Sequence, residues 1–89
     1  VNAAKRWAAA HEARTLTGAH EALGRVMPAP NAEASVWVSF HQAAAKVYDQ
    51  VAEADQRHHY EARAWAQCER NRLDALMGGS GEVSGDDDE

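Results

Sequence analysis

His20, His41 and Cys68 are the residues whose types allow the most specific chemistry, because two imidazoles and a thiolate held at one point are a zinc ligand set. If the chain doubles back near residue 30 and again near residue 54, the antiparallel register brings these three to one height. Only three ligands are then in view, no close ligand pair anchors them, and a lone buried cysteine ordinarily packs as a small apolar group. Hydrogen-bonded histidines beside a packed thiol are therefore the leading reading, and a zinc-binding bundle is the alternative.

Other chemical signals are weaker. In His58-His59-Tyr60-Glu61 the adjacent imidazoles point about 100° apart on a helix and cannot chelate as an i, i+4 pair does, so they read as solvated histidines able to sense pH near 6.5. His11-Glu12-Ala13 and His20-Glu21-Ala22 echo each other nine residues apart, half a turn out of phase, as alanine-rich composition allows. The chain has no glycine-rich phosphate loop, nucleophile elbow, Cys-x-x-Cys or His-Glu-x-x-His. An enzyme is not favoured, and no catalytic residue or cofactor is assigned. Arg57, Arg63, Arg70 and Arg72 make the last helix the most basic segment, but Glu61, Glu69 and Asp74 interleave with them. That pattern reads as a salt-bridged solvated face, with weak nucleic-acid association as a third functional alternative.

The elements that must position these residues follow from the breakers. Met27-Pro28-Ala29-Pro30-Asn31 interrupts an otherwise helix-forming sequence, and the helices on either side become candidates to pack antiparallel. Thr15-Leu16-Thr17-Gly18 weakens the first helix: Trp7 lies half a turn away from the Leu16, Ala19, Leu23, Val26, Met27 face, so a bent or two-piece helix is expected. Phe40, Ala44, Val47 and Val51 form the second stripe, widened by Trp37 and Tyr48, with Asn31 or Ser35 as its cap. Asp55 can cap a third helix carrying Ala62, Trp65, Ala66, Leu73 and Leu76, which stops at Gly78-Gly79. A single rod from residue 35 to 77, paired as a coiled coil, is the competing architecture, disfavoured by the polar gap at Asp55-Gln56-Arg57-His58-His59. The spacing predicts an all-α, three-helix up-down bundle with a bent first helix, its helices over about 3–27, 32–54 and 56–77. A disordered acidic tail is expected over residues 78–89.

Composition sets the remaining bounds. The chain has 89 residues, 45% of them apolar, but twenty of those are alanine, so the three tryptophans are expected to supply much of the core. A domain this size buries only about 60–65% of its unfolded surface, which leaves self-association as a homodimer open. One cysteine excludes an internal disulfide and fits a reducing compartment. No apolar run of eighteen residues occurs, and Lys5, Arg6, His11, Glu12 and Arg14 interrupt the segment where a signal sequence would be apolar. A cytoplasmic protein without a membrane partner is expected. The net charge of −5 comes from Glu82, Asp86, Asp87, Asp88 and Glu89, and residues 1–77 balance to zero. That tail and Trp7, which the main face does not accommodate, suggest contacts with an unidentified protein partner. A small interaction or regulatory accessory module is the function these features favour.

Ala19-His20-Glu21-Ala22-Leu23, Pro28-Ala29-Pro30, Val36-Trp37, Phe40-His41, Val47-Tyr48, Val51-Ala52, Asp55, His58-His59, Glu61-Ala62 and Trp65-Ala66 together resemble a set of small helical proteins of actinobacteria that carry no assigned activity. The resemblance spans roughly residues 15–70 and implies a cytoplasmic bacterial origin and nothing about function. The Tyr48 and Trp65 region is also similar to tetratricopeptide helix pairs, but the second helix is too long and no second 34-residue copy is present.

Overall fold

The computed structural model describes residues 3–78, and the expected acidic tail beyond Gly78 lies outside them. Among the described residues the chain is all-helical, with α1 (Ala3–His11), α2 (Leu16–Val26), α3 (Ala34–Ala54) and α4 (His59–Leu76), and a short 3₁₀ turn at Gln56–His58 leading into α4. The expected bent first helix is two separate helices. Thr15 takes an extended conformation and its hydroxyl accepts from the Gly18 N–H at 3.0 Å, starting α2 afresh.

The proline turn ends α2 at Val26. α3 begins two residues later than expected, with Glu33 in the cap position making no side-chain cap bond, so neither Asn31 nor Ser35 serves as the cap. Trp37 secures the turn by donating from Nε1 to the Ala29 carbonyl at 3.2 Å. At the other reversal Asp55 leaves helical geometry, which excludes the single rod; α3 and α4 pack on each other as a hairpin. Asp55 does not cap α4 with its side chain as expected. Its Oδ2 instead accepts from the Leu16 N–H at 3.0 Å, the first orphan donor of α2, and from His58 Nδ1 at 2.9 Å. α4 closes at Leu76, followed by Gly78 at a φ of 72°, the left-handed geometry that glycine accepts at a helix end.

The core corrects the expected role of tryptophan. The largest fully buried side chains are Val47 and Val51, surrounded by Ala19, Ala44, Ala62 and Ala66, while Leu23, Phe40 and Tyr48 complete the cluster. Interaxial distance depends on the side chains at the contact, and alanine on facing helices leaves no width for an indole between them. Trp7 and Trp37 are consequently half-buried at the margin, and Trp65 is 38% exposed. No helix among the described residues is long and apolar enough to cross a membrane.

Candidate functional site

The rings displaced from the core wall a cleft between α2, α3 and α4, with a volume of about 460 Å³. That is within the roughly 300–1,000 Å³ typical of small-molecule sites. Helical periodicity explains its membership. On α3, Trp37, Phe40, His41 and Tyr48 fall at i, i+3, i+4 and i+11, and on α4, Trp65, Glu69 and Arg72 fall at i, i+4 and i+7, each set on one face. α2 supplies the third wall with His20, Leu23 and Gly24, and the exposed Met27 just beyond the helix also lines the cleft.

A line of charge runs through the base. His41 Nδ1 lies 2.5 Å from Glu69 Oε1, with both side chains more than nine-tenths buried, and Glu69 Oε2 accepts from an Arg72 guanidinium nitrogen at 3.3 Å. An isolated carboxylate in such a place would cost several kcal/mol, an expense that two donors on opposite oxygens offset. Because a carboxylate accepts only, His41 carries its proton on Nδ1. Arg72 is half exposed and lines the cleft.

Above this line Tyr48 and His20 form a second polar pair, hydroxyl to Nδ1 at 2.8 Å. Burial pushes the Tyr48 phenol up to about 12, with the Glu69 carboxylate adding to the rise, Arg72 opposing it and Cys68 adding a little. The phenol is therefore protonated at neutral pH and shares a hydrogen bond with His20 Nδ1; in the His20 tautomer that accepts there, the far ring nitrogen is the N–H donor. Trp65 meets the His20 ring edge-on at 4.9 Å and stacks on Tyr48 at 6.0 Å between centroids. Trp37 lies 5.5 Å from the His41 ring and edge-on to Phe40 at 5.7 Å.

This arrangement decides between ligand charges. A cation seated about 5 Å from Arg72 would meet a repulsion of about 3 kcal/mol at an effective dielectric of about 20. The face of one ring returns only about 0.5–2 kcal/mol. Glu69 offsets that repulsion less at the opening than at the base, as its side chain is buried while Arg72 is half exposed. The cleft lining contains no serine, threonine or cysteine.

The expected zinc trio is not assembled. His20 and His41 line the cleft, but Cys68, a half-buried free thiol, does not, and no group of three or more His, Cys, Asp or Glu among the described residues is placed to hold a metal ion. The reason is angular: Cys68 and Glu69 are neighbours on one helix, about 100° apart, and it is Glu69 that faces His41. The His58-His59 pair is half-buried, with His58 on Asp55 and His59 Nδ1 donating to the Ala52 carbonyl at 2.7 Å, so these histidines belong to the turn. Arg70 pairs with Asp49 at 2.9 Å and Arg72 with Glu69, which engages part of the basic face that a nucleic acid would require. Trp7 packs against Phe40 and borders a second, apolar groove of about 320 Å³ with Val26, Pro28 and Val36. Asp86, Asp87, Asp88 and Glu89 lie outside the described residues.

Sequence reasoning missed Glu69 by placing it on a solvated face. A signal was present: position 69 fills the gap in the Ala62, Trp65, Ala66, Leu73 stripe, and a carboxylate in an apolar stripe demands a buried partner. No protein-family model, curated protein or solved structure matches this chain.

Proposed function

We propose that the protein is a small regulatory accessory module that binds a small organic molecule in the cleft between α2 and the α3–α4 hairpin. The observation that carries this reading is the convergence of Trp37, Phe40, Tyr48 and Trp65 around a partnered His41–Glu69–Arg72 line, in an open cleft of about 460 Å³. Apolar walls with a few fixed polar groups are what a small-ligand site requires. The regulatory part of the reading comes from α2. This short helix forms one wall, so an occupant touching His20 and Leu23 on one side and Trp65 on the other would fix α2 against the hairpin.

The test is a two-dimensional NMR titration with a library of aromatic fragments. Binding is expected to shift the indole N–H signals of Trp37 and Trp65 together, and Trp65→Ala to abolish the response. A library that leaves both signals in place would overturn the reading. Docking of a protein partner is the second reading, supported by the apolar groove beside Trp7. The same titration separates the two, since a ligand confined to the aromatic cleft leaves the Trp7 signal unmoved.

A further inference from the structure

We propose that the cleft is selective for an aromatic monocarboxylate of one or two rings, its ring system against Trp65 and Trp37 and its carboxylate on Arg72. The inference rests on the reading that the cleft binds a small molecule, and it deepens that reading by naming the chemical class.

Three features of the site lead to it. The first is the placement of charge: Glu69, the only negative group in the lining, is buried against His41 and Arg72, while Arg72 is half exposed, so a ligand entering from solvent meets the guanidinium before the carboxylate. The second is the surplus of donors. Arg72 uses one nitrogen on Glu69 at 3.3 Å, and a guanidinium has five N–H groups in a planar fork that matches a carboxylate in bidentate fashion. In the tautomer that accepts the Tyr48 hydroxyl at Nδ1, His20 adds a further N–H from its other nitrogen. The third is the wall. Trp65 is 38% exposed, while its inner side meets Tyr48 and His20, so the ring is held in a fixed place with surface left to stack on an incoming ring.

Charge count narrows the anion to a monoanion. A phosphate ester would bring a second negative charge toward Glu69 with no second guanidinium in the lining to balance it. A carboxylate needs one fork, and the cleft has one.

The test uses three probes of one shape, 2-naphthoate, neutral 2-naphthamide and 2-naphthylmethylammonium, titrated into the full chain by calorimetry and followed at the Trp37 and Trp65 signals. Naphthoate is expected to bind at least tenfold more tightly than either of the others. Arg72→Gln, at a half-exposed position where the fold is checked by circular dichroism, is expected to weaken naphthoate tenfold or more and leave naphthamide unchanged. Arg72→Lys, which keeps the charge without the fork, is expected to restore part of the loss. Equal binding of naphthoate and naphthamide, or an Arg72→Gln variant with unaltered naphthoate affinity, overturns the carboxylate inference while the binding reading stands. Failure of all three probes to move Trp37 or Trp65 overturns both.

Discussion

The two ends of this bundle are closed by different means. At the Asp55 end, polar links tie the elements together: Asp55 to the Leu16 N–H, Gln50 Nε2 to the carbonyls of His11 and Ala13, and His59 to Ala52. These bonds satisfy backbone groups left over where α1 and α3 end and α2 begins, so the end is shut by the orphans of its own helices. Toward the proline turn, Trp37 holds the Ala29 carbonyl, but rings and long side chains stand between the helices, and the space among them is the aromatic cleft. Hydrogen bonds to backbone fix a geometry, whereas partly exposed rings leave surface for another molecule. The difference teaches where to look for function in a fold with an alanine core: at the end that the backbone does not seal.

The largest expected effect comes from the group that lies at the base of the cleft. Glu69→Ala removes two charge-assisted hydrogen bonds, one of them a buried link between α3 and α4, and should lower stability by about 3 kcal/mol in urea denaturation. A loss below about 1 kcal/mol would mean that the open end does not depend on its charge line, and the contrast between ends would fail.

A pair of glycines in α2 sharpens the comparison at a smaller scale. At Gly18 a Cβ would stand 2.9 Å from Thr15 Oγ1, so Gly18→Ala disturbs the cap at the closed end and should cost about 1 kcal/mol. At Gly24, on the cleft wall, a Cβ meets nothing within 4 Å, and Gly24→Ala should stabilise by about 0.5–1 kcal/mol. Thermal melts of the two variants are expected to move in opposite directions; movement in the same direction would break the distinction.

The smallest expected change is in acid, because Thr15 still caps α2 after Asp55 is protonated. Asp55 is held below the usual carboxylate range, first by the Leu16 N–H, with further help from His58 and against the effect of burial. A depressed carboxyl contributes stability that is present above its unfolded pKa of about 4 and is lost as pH falls through the lower folded value. The stability difference between the parent and Asp55→Asn, measured by urea midpoints, is therefore expected to be full at pH 5 and to shrink toward pH 2. A difference that stays constant over that window would remove Asp55 from the list of links that close this end.

Much of the fold was legible because breakers are local. Pro28 and Pro30, Asp55 and Gly78 each act on the backbone where they stand, and the helices run between them. The separation of α1 from α2 was visible in the Trp7 phase and in Thr15, which starts α2 as a side-chain cap must. What Asp55 does with its carboxylate was not legible, since its partner is thirty-nine residues away. The site was half legible. Antiparallel register brought His20 and His41 to one cleft, but a one-residue step decided that Glu69 rather than Cys68 would face His41. The tryptophans were misplaced because residue size suggests burial, whereas the facing alanines set a helix spacing that no indole fits.

The alanine seam between α3 and α4 also bears on how the molecule assembles. Alanine gives up almost no rotamer freedom on burial, and the two helices are joined by a short turn, so their docking asks for little ordering and little loop closure. The hairpin is thus the natural scaffold to form early, with α2 arriving afterwards against a surface already in place.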